Sequence, residues 1–408
     1  MASSVEIGGS WSTQEDIALC ESWVNISHDP ITGNEMKFHH MWSKIHGEFC
    51  QRSGSLNGAF QKFLPHNSHP LSLGVWQPWR QSLCMRFSTK AMVEGPSGLK
   101  HVEIPIPSLK KDEVLLKTEA ASLNPSDFKI QKGLARPFLP RKLPHTPVTD
   151  VAGEIVEVGQ GVKKFKVGDK VVALLSYGNG GGLAEFAVAK EKLAVARPPE
   201  VSAAEGAGLP MAGLTAHQAV TKDARIKLDG TGQLKNILIT GAAGGVGLYA
   251  VQLAKLGNTH VTATCGARNI ELVKSLGADE VLDYKTPEGA SLKSPSGRKY
   301  DVVIHSASSA IPWSVFEANL SARGKVIDLT IGASNLFTFV LKKITFSKKK
   351  LVLLAISAKA ENLDCLVKLA KEGKLKTVID SNYPLSKAED AWAKRINTQC
   401  TGKIIVEP

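Results

Sequence analysis

The 408-residue sequence lacks any apolar run close to the roughly 18 uninterrupted residues of a membrane-spanning helix. Its most apolar stretch, LFTFVLKKITF, is broken by Lys342 and Lys343. The six cysteines (Cys20, Cys50, Cys84, Cys265, Cys365 and Cys400) lie far apart and form no CxxC pair. This argues against a disulfide framework or a zinc knuckle and fits a reducing compartment. Internal repeats are absent. Tryptophan and histidine are unevenly spread: five of the seven tryptophans and six of the eleven histidines fall in the first ninety residues. That head carries seven basic and seven acidic residues, so the whole formal charge of +12 belongs to residues 91–408. The break marks residues 1–90 as a separate unit. Glu6, Glu15, Asp16 and Glu21 put acid where a transit peptide avoids it.

What is present is the patterning of an ordinary globular α/β chain with room for two or three domains. From Val102 the text is strand-rich: HVEIPIP and DEVLLKTEAASL alternate, and DVAGEIVEVG and VGDKVVALL follow, each bounded by glycine or a turn. Near Leu214 the texture changes. NILIT reads as a short buried strand before a helix, HVTATC as a second strand, and NIELVKSLGA as a second helix. EVLDY, YDVVIHSA and GKVIDLT add further strands between helical stretches. Such alternation predicts a doubly wound parallel sheet covered on both faces. The last sixty residues return to a mixed pattern and end on the alternating TGKIIVEP.

Between the first of those strands and its helix lies GAAGGVG, a stretch of glycine and alanine. It approximates the GxGxxG dinucleotide fingerprint as Ala242-x-Gly244-x-x-Gly247, with alanine in the first place. Small residues also suit any tight strand-to-helix turn. The context of strand, helix and second strand favours a nucleotide. Gly244 would let the backbone approach a pyrophosphate, and Gly247 would let helix and strand pack closely. Gly245 and Val246 open the helix, whose N-terminus offers free N–H groups and a positive dipole. NAD sites place an acid at the end of the second strand; here that stretch is ATCGARN, with Gly266 and Arg268 and no carboxylate. Arg268 suits a 2′-phosphate, so NADPH is the expected cofactor. The alternative is a solvated arginine at a helix start.

Five segments in this order carry a family resemblance: SLNPSDFKIQKG (122–133), TDVAGEIVEVGQGVKKFKVGDKV (149–171), LPMAGLTA (209–216), AAGGVG and LGADEVLDY (276–284). From about residue 95 the chain resembles the zinc-independent quinone oxidoreductases of the medium-chain dehydrogenase/reductase superfamily, in particular a plant branch of the chloroplast envelope. The resemblance implies a GroES-like β-rich catalytic domain (residues 91–217 plus 347–408) and a Rossmann domain (218–346). It implies NADPH-dependent reduction of a quinone or of the C=C bond of an α,β-unsaturated carbonyl, by a monomer or homodimer. Zinc alcohol dehydrogenases of the superfamily carry Gly-His-Glu where this chain has Thr149 and Asp150, so a histidine ligand is gone and no metal is expected. By resemblance Asn124 and Asp127 are the candidate catalytic residues, with Asn124 at the nicotinamide end of the cleft. Thr215 would orient the carboxamide, Arg268 and Tyr284 would surround the adenosine phosphate, and Lys403 would lie near that ribose. Each has a plainer reading: Asn-Pro starts turns, Asp127 suits a helix cap, and Tyr284 suits a core.

The head resembles something else. Residues 11–56, with Trp11, Trp23 and Trp42, are similar to the Myb/SANT-like helical domain of plant transposon-derived proteins. The extension is therefore expected to be helical in part and disordered after Leu64. Its neutrality lacks the electrostatic footprint of a nucleic-acid binder, so DNA is not the expected partner. The usual first strand pair of the catalytic domain has no clear counterpart; SLCMRFSTKAM alternates poorly as a substitute. Finally, LKKITFSKKKL gathers Lys342, Lys343, Lys348, Lys349 and Lys350, a cluster suited either to anionic lipid headgroups at a membrane surface or to plain solvation.

Overall fold

The computed structural model describes residues 88–95, 98–131, 145–177, 180–330, 339, 347–397 and 400–408. These fall in one compact unit, residues 81–408. The Myb/SANT-like resemblance and Lys342 and Lys343 lie outside the described residues.

An antiparallel hairpin comes first. Strand β1 (Ser88–Gly95) pairs with β2 (Gly98–Pro105) from Ser88 opposite Pro105 to Gly95 opposite Gly98. This corrects the expectation of a missing strand pair: STKAMVEG supplies it. The alternation of HVEIPIP announced β2, whereas β1 is anchored rather than patterned, which explains why alternation did not reveal it. Met92 is fully buried, its N–H donates to Leu183 O at 2.8 Å, and Ala91 bridges to Ala184.

The longest strand, β3 (Glu113–Leu123), organises the larger sheet. On one side it pairs with β4 (Asp150–Val158), which pairs with β5 (Lys170–Leu174), and that with β7 (Ala194–Ala196). On its other side one end meets β6 (Phe186–Lys190) and the far end meets β15 (Lys403–Glu407), which carries β14 (Ile379–Pro384) in parallel. Side chains alternate between two cores, as a pleated strand requires. Val151, Val171 and Ala173 face one side with Leu116 and Trp392. Ala152, Val172 and Leu174 face the other, against helix α2 (Ala203–Gly208) and helix α3 (Pro210–His217). A short helix α1 (Pro125–Gln131) follows β3 directly.

The second sheet is parallel throughout, in the order β10 (Glu280–Asp283), β9 (Thr259–Cys265), β8 (Lys235–Thr240), β11 (Tyr300–His305), β12 (Leu320–Asp328) and β13 (Lys350–Leu353). Helices α4 (Gly245–Leu256), α5 (Ile270–Ser275), α6 (Pro287–Ala290) and α7 (Trp313–Asn319) connect its strands. Ile237 and Ile239 point into the core shared with α3 and α4, whereas Leu238 points into a second core with Tyr300 and Phe316. This is the α/β, doubly wound arrangement that the strand–helix alternation implied. Strand β13 pairs with β12 from Lys350, so the parallel sheet continues past the sequence-based boundary at residue 346. Helix α8 (Ala360–Lys371) then packs on α3, and α9 (Ala388–Ile396) on β14 and β15. Among the described residues no helix is long and apolar enough to cross a membrane.

Met92 tests the hairpin. Met92→Ala should cost about 2–5 kcal/mol in a denaturant titration, the range for emptying a packed core site. A cost under about 1 kcal/mol would show that the hairpin adds little to the fold.

Candidate active site

The parallel sheet reverses its winding between β8 and β11, and ligands of such sheets bind outside the carboxyl ends of the strands at that point. Strand β8 runs directly into Gly241, whose φ is +66° and where a Cβ would stand 2.8 Å from Ala307 N. Only glycine fits there. The turn is then tied down by Ala242 N–H donating to Thr264 O and Gly244 N–H to Gly241 O, both at 2.9 Å. Helix α4 starts at Gly245 with Gly244 as its cap, a residue without a side chain to satisfy the first N–H groups. The amides of Gly245, Val246 and Gly247 therefore form an anion-seeking end. At Gly247 a Cβ would lie 2.3 Å from Gly241 O, so helix and strand need glycine to approach. At Gly244 the nearest atom to a Cβ would be Gly241 O at 3.3 Å, and no other lies within 4 Å, which leaves room for a close backbone approach by a ligand.

Beside this loop, β9 and β10 end together. Tyr284 N–H donates to Cys265 O at 3.1 Å, and a Cβ on Gly266 would lie 3.5 Å from the Tyr284 ring. Arg268 follows in a 3₁₀ turn and is exposed, as is the Tyr284 ring. The structure thus brings Gly266, Arg268 and Tyr284 to one strand end. Tyr284 is a surface residue, not the core residue of the plainer reading. At the switch point itself His305 Nδ1 lies 2.7 Å from Thr240 Oγ1, both buried. Burial pushes the His305 imidazole below its ordinary value, with Asp328 opposing.

A third group is buried where α1, α3, β4 and β15 converge. Asp150, wholly inaccessible, accepts from Asn124 Nδ2 at 2.9 Å and from Met211 N–H at 3.1 Å. Lys403 Nζ donates to Asn124 Oδ1 at 2.6 Å and lies 3.8 Å from Asp150. Asp127 accepts from Asn124 N–H at 2.7 Å, the third helical residue reaching back to the residue before the helix. Burial pushes Asp127 up to about 7, with the Asp150 charge adding to the rise; Asn124 N–H, Lys403 and Arg395 pull it down. Burial likewise pushes Asp150 up to about 6, against Lys403, the Asn124 amide and Met211 N–H. The Lys403 ammonium is lowered by burial, with Asp150 opposing.

Lys403, which the resemblance would set near the ribose, reaches past the glycine turn. Its ammonium is turned to Asn124 and Asp150, while its Cδ would be 3.2 Å from a Cβ on Gly245. Thr215, one turn into α3, donates its hydroxyl to Met211 O at 2.7 Å. Ala212 of the same helix would meet that Gly245 Cβ at 3.6 Å, so α3 lines the glycine loop. Tyr177 is half-buried near Asp150, its hydroxyl donating to Met211 Sδ at 3.1 Å.

With this geometry, the relatives can be placed. Residues 110–199 match the family model described as alcohol dehydrogenase GroES-like domain, and residues 276–406 the one described as zinc-binding dehydrogenase. A chloroplast envelope quinone oxidoreductase homologue of Arabidopsis thaliana is 70% identical over 314 residues, 77% of this chain and 95% of that one. The chain belongs to the medium-chain dehydrogenase/reductase family. A chloroplastic NADPH-dependent alkenal/one oxidoreductase of the same plant is 34% identical over 322 residues, 75% of this chain and 74% of that one. The solved quinone oxidoreductase of Coxiella burnetii matches with a TM-score of 0.69 at 29% identity, over 79% of this chain and 99% of that one.

Within this family, the donor set at Asp150 does not fit zinc. Its oxygens already serve an amide, a backbone N–H and an ammonium, and among the described residues no thiolate or imidazole joins them in a metal-holding group. In the sequence, Thr149 and Asp150 stand out only as replacements for the metal-binding pair, and no local pattern marks Asp150 as the centre of a polar cluster. Gly241 and His305 carry no local signal either.

The pH dependence of Asp127 has a definite sign. A carboxyl whose folded value lies above its ordinary 3.8 leaves the folded state holding more protons, so stability falls as pH rises between about 4 and about 7. Asp127→Asn removes that loss. In denaturant titrations the variant should gain on the parent by on the order of 1–3 kcal/mol between about pH 5 and about pH 8. An unchanged gap would show that Asp127 titrates as an ordinary carboxylate.

Proposed function

We propose that this oxidoreductase is NADPH-dependent and metal-independent, and transfers hydride to a quinone or to the C=C bond of an α,β-unsaturated carbonyl. The observation that carries the reading is the neighbourhood of the glycine turn. A lysine stem lies against Gly245 while its ammonium is held by Asn124 and Asp150, so a fixed organic cation joins the glycine turn to the residue that stands in the sequence place of the zinc members' Gly-His pair.

The residues present suit the cofactor. The open backbone of Gly244 and the first amides of α4, from Gly245, Val246 and Gly247, would receive the pyrophosphate, with Ala242 holding the turn. Arg268 beside Gly266 and Tyr284 would receive the 2′-phosphate, since the segment that follows β9, Gly266 to Asn269, carries no carboxylate to prefer a bare ribose. When bound, NADPH supplies the hydride from nicotinamide C4. The protein would hold that carbon over the acceptor: Asn124, Asp127 and Lys403 cluster with Asp150, Thr215 lies on the helix that Met211 ties to it, and by the family resemblance these residues would close the nicotinamide end. Lacking a Lewis acid, the site favours acceptors that are already activated, which supports an enone or quinone over a saturated alcohol. The names of the relatives support the same class and a chloroplast location. At the envelope, contact with anionic lipid would fall to Lys348 and Lys350, which are exposed; Lys349 donates to Glu317 O at 2.6 Å.

The test is oxidation of NADPH, with NADH as control, by the full-length chain against one medium-chain enone and one small quinone. Turnover with NADPH preference is expected. Arg268→Ala should lower the NADPH-to-NADH ratio of kcat/KM by about 10–100-fold, the worth of one charge-assisted pair. An unchanged ratio would remove Arg268 from the phosphate site.

A further inference from the structure

We propose that Asp150 is a positioning residue of the reductase site, a role that rests on the NADPH-dependent reading above. Three segments distant in sequence end on its carboxylate. The first is Asn124, which enters α1 directly after β3. The second is α3, whose leading residue Leu209 offers no side-chain cap, so that the Met211 amide finds its acceptor on β4 instead. The third is β15, through Lys403.

Each attachment fixes something that the cleft needs. Asn124 has two possible amide orientations, and both neighbours dictate the same one. Its nitrogen must face the Asp150 carboxylate and the Ser122 carbonyl, at 2.9 and 3.2 Å, and its oxygen must face the Lys403 ammonium. With either neighbour neutralised that preference weakens. The Met211 bond sets where α3 begins. Ala212, one residue on, lines the glycine turn, and Thr215 lies one helical turn further. Asp150 is wholly buried, so it acts on the cleft through these groups and not by touching a substrate.

Four proteins test this: the parent, Asp150→Asn, Asn124→Ala and the double variant. The readouts are kcat and KM with an enone at saturating NADPH, NADPH affinity by tryptophan fluorescence, and the thermal midpoint. Each single change should lower kcat about 10-fold or more, as small misplacements in a reactive geometry do. The double variant should fall no more than about threefold below the weaker single, because both act through the same amide. A double variant whose loss equals the product of the two singles would overturn the proposal. So would an Asp150→Asn enzyme within about twofold of the parent in kcat and KM. If Asp150→Asn does not fold, Asp150→Asn with Lys403→Met removes both charges of the pair and takes its place in the cycle. An inactive parent would overturn the reductase reading and this role together. An active, NADPH-dependent parent with additive variants would overturn this role alone.

Discussion

A carboxylate with no access to water is the constraint on which the candidate site depends. Burying a lone Asp150 anion would cost several kcal/mol, and the chain compensates from three directions: an amide, a helix N–H and an ammonium. Such an arrangement adds little net stability over a well-packed apolar core. What it adds is orientation. Every donor must stand where it does, or the charge goes unmet. Strand β4, helix α3, the start of α1 and strand β15 are therefore registered on one another at a single point.

Strand β15 carries that registration to the parallel sheet. Before it reaches Lys403, the chain passes Gly402, which bridges Gly244 and donates its N–H to Ala243 O at 2.9 Å. Gly402 has φ +86°, and a Cβ there would stand 2.2 Å from Val378 O. The closing strand thus touches the glycine turn with its backbone, and the next residue sends its side chain to Asn124. Thr401 adds a bond from its hydroxyl to Asn269 Oδ1 at 3.0 Å, beyond Arg268. One short run near the end of the chain spans the phosphate end of the crevice and the Asn124 cluster. Displacement of this run would move both together.

How much of this was legible follows from the range of each interaction. The strand, glycine turn and helix from Lys235 to Leu256 are local, and period and composition display them directly. The clustering of Gly266, Arg268 and Tyr284 was legible only through resemblance, because it needs β9 and β10 side by side. Of the first hairpin, β2 was legible in the alternation of HVEIPIP, but β1 was not, since Met92 is buried with Leu183 rather than by alternation. Nor was β13, an edge strand opening on lysine. The role of Asp150 could be read only as a lost histidine. Its partners lie 26 and 61 residues away, and the bond joining Lys403 to Asn124 spans 279. Lys403 was assigned to the cofactor by its place in TGKIIVEP, but the direction of its ammonium depends on a carboxylate that the pattern around it does not announce.

That direction bears on the chemistry. A zinc ion in a catalytic site keeps an open position and polarises whatever oxygen enters it. The Lys403 ammonium has no such vacancy: it is committed to Asn124 Oδ1 and faces Asp150. Its charge is largely spent on the carboxylate, so the field it sends into the crevice is that of a neutralised pair. On the reductase reading, this geometry leaves an alcohol without an activator. It suits an acceptor whose own carbonyl draws hydride to the conjugated carbon. On that reading, the same cluster that registers four elements on one another would also narrow which substrates the crevice can reduce.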